Sequence, residues 1–121
     1  MTNLTELPSK DYDFLITMLP SRNHLNDLFF GETALAKKLN KTCLLVDCST
    51  ISPFDTLHFG ERLKSENGLE FVDAPVSGGV PGAENGTLTF MIGSKNEELF
   101  EVIDLNERNQ KLFWNQWGRT L

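Results

Sequence analysis

Between Asp73 and Gly86 the chain places four glycines and two prolines, and this segment joins two apolar runs, Leu69 to Asp73 and Leu88 to Ile92. Glycine gives up conformational entropy and packing in return for unusual φ values or close approach, and proline removes a backbone donor. A segment built this way is not the interior of a regular helix or strand. It reads as a loop at the end of a strand, shaped so that something can lie close to it.

The remaining composition bounds the answer. A chain of 121 residues with 40% hydrophobic and 23% charged residues suits one globular domain with its own core. The net charge of −6 gives no electrostatic support to a nucleic-acid partner or an anionic membrane surface. No apolar run approaches the roughly 20 residues that span a bilayer. Residues Met1 to Lys10 carry neither a signal-peptide core nor an Arg-rich transit pattern. The expectation is a soluble intracellular protein. Cys43 and Cys48 flank one strand five residues apart, so they face opposite ways and read as reduced packing residues. His24 and His58 lie in no metal-ligand spacing, and no metal is expected.

Along the chain, apolar strand-like runs alternate with helical spacing. Phe14 to Leu19 is a strand ended by Pro20. Arg22 to Leu39 has helical periodicity broken at Gly31 into two short helices. Cys43 to Asp47 is a second strand, and Ser49 and Thr50 offer capping hydroxyls. Phe54 to Lys64 fits an amphipathic helix opened by Pro53 and closed before Gly68. Strands follow at Leu69 to Asp73 and Thr87 to Ile92, then a helix from Asn96 to Leu105. Strands apolar throughout predict an α/β fold, a doubly wound, Rossmann-like parallel sheet with helices on both faces. Ligands of such sheets bind at the carboxyl ends of the strands. Pro20-Ser21, Asp47 to Thr50 and Asp73 to Gly82 would share that rim.

Four segments occur in order: Thr17-Met-Leu-Pro-Ser21, Asp47-Cys-Ser-Thr-Ile51 followed by Pro53, Asp73-Ala-Pro-Val-Ser-Gly-Gly79, and Gly86-Thr-Leu-Thr-Phe-Met-Ile-Gly93. Together they resemble the successive signatures of the 3-hydroxyisobutyrate dehydrogenase family of β-hydroxyacid dehydrogenases, over roughly residues 3 to 105. The resemblance implies an NAD cofactor, with NADP as the alternative, and a small 3-hydroxy acid substrate. It implies that Leu19, Pro20 and Thr50 lie against the cofactor. Position 24, held by His24 where human-type enzymes of the family carry Asn, is the counterpart of a further cofactor contact. Ser77, Gly78 and Gly79 match the segment that meets the substrate carboxylate, where a hydroxyl and unobstructed glycine N–H groups can converge on an anionic oxygen.

Taken singly, each motif has a plainer reading. A Leu-Pro pair ends strands, Thr50 caps a helix, and Asp47 and Asp73 close strands as turn or cap residues. The order and spacing of the four segments favour the functional reading.

Three parts of the family pattern are not found in this sequence: the Gly-x-Gly-x-x-Gly turn, the Gly-x-x-x-Lys-x-x-x-Asn helix and the all-helical C-terminal domain. Lys95 does not match the lysine motif, so no catalytic residue is named. The expectation is a partial dinucleotide-binding domain over residues 1–105 that lacks its first three strands, followed by an atypical, non-native tail over 106–121 from a truncated product or gene model. Phe14 to Leu19 would then be an exposed sheet edge able to recruit a second copy.

Three functions are weighed. One is an inactive fragment of an NAD-dependent 3-hydroxyisobutyrate dehydrogenase of valine catabolism, mitochondrial in a eukaryote and cytoplasmic otherwise. Another is a non-catalytic interaction remnant. The third is a fragment of a sister tartronate, glyoxylate or succinate semialdehyde reductase.

Overall fold

The computed structural model describes residues 11–94 and 111–116, and the expected helix over Asn96 to Leu105 lies outside them. The elements are β1 (Phe14–Thr17), α1 (Arg22–Phe30), α2 (Leu35–Lys38), β2 (Leu44–Asp47), α3 (Pro53–Asn67), β3 (Glu70–Asp73), β4 (Val76–Ser77), α4 (Gly79–Asn85), β5 (Thr89–Ser94) and β6 (Lys111–Gln116). The β-α-α-β-α-β alternation read from the sequence is present through β3. The sheet runs in the order β1-β2-β3-β5-β4, with β6 also paired to β5.

β1, β2 and β3 are parallel neighbours, as continuous apolar strands separated by helical crossovers require. β5 departs from that pattern and runs antiparallel to both β3 and β4. Asp73 pairs with Gly93, Val76 with Phe90 and Ser77 with Thr89, while the Met91 N–H donates to the Pro75 carbonyl at 2.9 Å. β3 and β4 are thus one strand interrupted at Ala74-Pro75, and β5 returns beside both as the second arm of a hairpin. β6 lies parallel to β5 along its whole length.

One face of the sheet holds the larger core. Leu45 and Phe71 point into a cluster with Leu25 and Phe29 of α1, Leu35 and Ala36 of α2, and Phe59 and Leu63 of α3. Phe59 is its centre, meeting Phe29, Phe30 and Phe71 edge to face at centroid distances of 5.4, 5.6 and 5.3 Å. On α3 the buried positions Thr56, Phe59, Gly60 and Leu63 keep helical spacing. Leu44, Val46, Val72 and Ile92 form a second cluster on the opposite face.

The helix ends explain the boundaries. α3 starts one residue earlier than the amphipathic run because Pro53 occupies its first turn and Ser52 caps it, accepting the Asp55 N–H at 3.2 Å. The capping hydroxyl is therefore Ser52, not Ser49 or Thr50. α1 stops at Gly31, where a Cβ would come within 2.3 Å of the Asp27 carbonyl oxygen.

Candidate functional site

The carboxyl ends of β1, β2 and β3 form one rim. Thr17, Asp47, Asp73 and Gly93 are successive register partners across β1, β2, β3 and β5. The backbone ladder continues past the strand ends: the Cys48 N–H donates to the Thr17 carbonyl at 2.7 Å and the Ala74 N–H to the Asp47 carbonyl at 2.8 Å. Three loops therefore leave the sheet from fixed positions.

Asp47 organises the first two. It is fully buried, and its Oδ1 accepts the Thr17 hydroxyl at 2.8 Å, the Ser49 hydroxyl at 2.6 Å and the Ser49 N–H at 3.3 Å. Ser49 also accepts the Leu19 backbone N–H at 2.8 Å. A carboxylate inside the sheet thus sets the separation between the Leu19-Pro20 turn and the Ser49-Thr50 turn. Thr17, Asp47 and Ser49 were not singled out as site residues from the sequence. The available signal was an acidic residue closing an otherwise apolar strand.

Pro20 and Thr50 are brought together. Both line a cleft of about 330 Å³ with Ser21, Arg22, Asn23, Ile51, Ser52 and Asp55. Leu19 is not part of that lining and is half-buried against the helical core. Arg22 pairs with Asp55 at the rim. The Ser52 hydroxyl and then the Arg22 guanidinium hold the Asp55 carboxyl below the usual carboxylate range. His24 lies outside the cleft lining. It is exposed on α1, with Nδ1 at 2.8 Å from the Ser21 hydroxyl.

Ser77, Gly78 and Gly79 lie at the other end of the rim, exposed on β4 and the start of α4. Their loop is not the irregular segment expected, because Gly79–Asn85 forms a short helix inside it. Gly78 has φ +133°, and a Cβ there would come within 3.2 Å of Leu88 Cδ2. The corresponding atom on Gly82 would come within 3.1 Å of the same methyl. The close approach that these glycines permit thus comes in part from the chain's own Leu88.

Burial, followed by the neighbouring Asp47 charge, pushes the Asp73 carboxyl up to about 7. Burial and then Asp47 and Asp73 push the Cys48 thiol to about 11. Cys43 and Cys48 are buried free thiols, and Cys48 is held in its inert protonated form. Among the described residues no group of three His, Cys, Asp or Glu side chains is placed to hold a metal. No helix among them is long and apolar enough to cross a membrane.

Comparison with known proteins agrees with the four segments. The sequence model for the NAD-binding domain of 6-phosphogluconate dehydrogenase matches residues 2–107. The mitochondrial 3-hydroxyisobutyrate dehydrogenase of Drosophila melanogaster is 48% identical over 90 residues, covering 74% of this chain and 27% of that protein. The NAD-dependent L-serine dehydrogenase of Pseudomonas aeruginosa is 42% identical over 97 residues, covering 78% and 32% respectively. Among solved structures, the Mycobacterium tuberculosis 3-hydroxyisobutyrate dehydrogenase with L-serine superposes with a TM-score of 0.74 at 32% identity, covering 86% of this chain and 35% of that one. The chain spans about a third or less of the curated relatives it matches. NAD(P) is the cofactor class of these domains. The chain belongs to the 3-hydroxyisobutyrate dehydrogenase family, with the α/β fold of that family's NAD-binding domain.

Proposed function

We propose that this chain carries the nicotinamide-side lip and the substrate-carboxylate loop of an NAD-dependent oxidoreductase acting on a short 3-hydroxy acid, 3-hydroxyisobutyrate in valine catabolism. The observation that carries the reading is the convergence of Pro20 and Thr50 on one cleft at the ends of parallel β1 and β2. The cleft's proline, hydroxyls and open side suit one end of a dinucleotide. When bound, NAD supplies the hydride acceptor for oxidation of the alcohol. Leu19, Pro20 and Thr50 would seat its nicotinamide end, with His24 oriented by Ser21 at the margin. Ser77 and the N–H groups of Gly78 and Gly79 would meet the substrate carboxylate. Residues 1–105 would be the dinucleotide-binding part, with 106–121 a tail of different character.

No general acid or base is assigned to this chain, and Lys95 lies outside the described residues. Hydride transfer needs an oriented cofactor, a proton-transfer group and an enclosed site together. The chain alone is expected to be inactive. Relatives with mitochondrial names support that compartment for a eukaryotic protein. A similar L-serine dehydrogenase widens the substrate class to other short 3-hydroxy acids.

The test is a chimera in which residues 14–94 of this chain replace their counterparts in a complete relative. Retained turnover supports the reading. Within it, Thr50→Ala should raise the NAD KM and Ser77→Ala the hydroxy-acid KM, each with little effect on the other. A chimera that folds and binds neither ligand overturns the assignment.

A second reading rests on β1, whose Phe14 and Ile16 are exposed, as is Met18 just beyond it, and which pairs only with β2 among the described residues. It is a non-catalytic partner that adds this edge to a second copy or a complete relative. Size-exclusion chromatography alone and after co-expression separates it from the first reading.

A further inference from the structure

Two aspartates stand side by side at the carboxyl ends of β2 and β3. Asp47 and Asp73 are register partners on adjacent parallel strands, so their Cα atoms lie about 4.8 Å apart and their side chains leave the same face of the sheet. Asp47 is fully buried; its Oδ1 is saturated by three donors, while its Oδ2 is buried without a hydrogen-bond partner among the described residues. A buried carboxylate oxygen left bare is costly, and a donor beside it relieves the cost.

We propose that Asp47 and Asp73 share one proton as a carboxylate and carboxylic acid pair, with Asp73 donating to Asp47 Oδ2. The pair acts as a positioning device that ties the Leu19-Pro20 and Ser49-Thr50 turns to the Ala74–Ser77 segment. Calling those turns the cofactor lip and that segment the substrate loop rests on the function proposed above; the proton-sharing pair itself does not.

The proton belongs on Asp73. Asp47 Oδ1 already holds three donors, and Asp73 is the carboxyl that burial and then the neighbouring Asp47 charge raise. Among the described residues no cationic side chain is paired with either carboxyl. β1 presents Thr17, and β5 presents Gly93 and Ser94. Cys48 beyond Asp47 is a protonated thiol. On the packed helix α3, Asp55 pairs with Arg22, Arg62 with Glu66 and Lys64 with Glu70, while the His58 ring packs against Phe54. With Asp73 protonated, one hydrogen-bonded chain runs from the Leu19 N–H through Ser49 and Asp47 to Asp73, whose own backbone leads into the Ser77 loop. Ionising Asp73 would place two carboxylates on adjacent strands and break that chain at its centre.

The test follows the aspartate carboxyl carbons of the isotopically labelled full chain by NMR from pH 4 to 9, together with the Leu19 amide protection factor. One carboxyl, that of Asp73, should titrate near neutrality. Leu19 protection should fall about tenfold as Asp73 ionises, since the bond it reports opens locally. Asp73→Asn keeps a donor toward Asp47 and should retain protection with no pH dependence, whereas Asp73→Ala should lose it at every pH. Titration of Asp73 below pH 5, or Leu19 protection that ignores pH and both variants, would overturn the pair. If Asp73→Ala fails to fold, the wild-type titration and Asp73→Asn decide the matter. None of these readouts involves NAD, so failure of the pair and failure of the cofactor reading are separable.

Discussion

The hydroxyl of Ser49 accepts the Leu19 backbone N–H at 2.8 Å and donates to Asp47 Oδ1 at 2.6 Å, joining two loops thirty residues apart in sequence. Ser49→Ala deletes both bonds and leaves a partly buried N–H without its partner. The variant should lose about 1–3 kcal/mol of stability, the cost of an unmet buried polar group. Urea unfolding should show a lower midpoint with an unchanged slope.

Stability should fall as pH rises from about 4 to about 7. The folded carboxyl of Asp73 is raised to about 7 by burial and by Asp47, against an ordinary value of 3.8, so over that interval the folded state holds a proton that the unfolded chain has released. Its stabilisation is complete below the unfolded pKa and is lost as pH passes the folded one, at up to about 1.4 kcal/mol per pH unit. Asp73→Asn should flatten this slope in denaturation curves taken between pH 4 and 8. Asp55, shifted the other way, loses its contribution below the usual carboxylate range, and because its Arg22 partner is exposed to solvent the pair matters little.

Phe59 touches three other aromatic rings in the helical core. Phe59→Ala should cost about 3–5 kcal/mol by removing transfer energy and leaving a cavity, and Phe59→Leu markedly less. Calorimetric melting of the two variants beside the parent gives the ranking; equal costs would mean that the site collapses around either residue.

At the start of α3, Ser52→Ala removes the acceptor for the Asp55 N–H and should cost about 1 kcal/mol. Thr50→Ala, two residues earlier, removes no cap and should leave thermal stability unchanged. Loss of stability in Thr50→Ala instead would assign that side chain a structural role.

Ile16 on β1 and Met18 just beyond it are 64% and 65% exposed. Ile16→Lys with Met18→Lys should leave folding within about 0.5 kcal/mol, as surface changes usually do, because both side chains already face solvent. The same double change should reduce self-association in sedimentation if the edge recruits a second copy. An unchanged mass distribution would remove β1 as the contact.

Much of the site's material was legible before any coordinates. The Leu19-Pro20 turn and Thr50 were read from motifs, and the structure brings Pro20 and Thr50 into one cleft. What could not be read was the connection between the loops. Asp47 and Ser49 look like ordinary strand-end residues until the pairing of β1 with β2 places Thr17 and Leu19 against them. The short α4 was hidden because Gly78, Gly79, Pro81 and Gly82 are poor helix formers, and tertiary contacts overrode that weak preference.

The sequence by itself determined the local elements through β3, the α/β class and the family, because apolar periodicity and turn chemistry are properties of neighbouring residues. Tertiary structure alone decided the direction of β5 and the register that sets Asp47 beside Asp73. An apolar run records that a strand is buried without recording which way it runs. Two carboxyl groups 26 residues apart become partners only through the register of the strands that carry them.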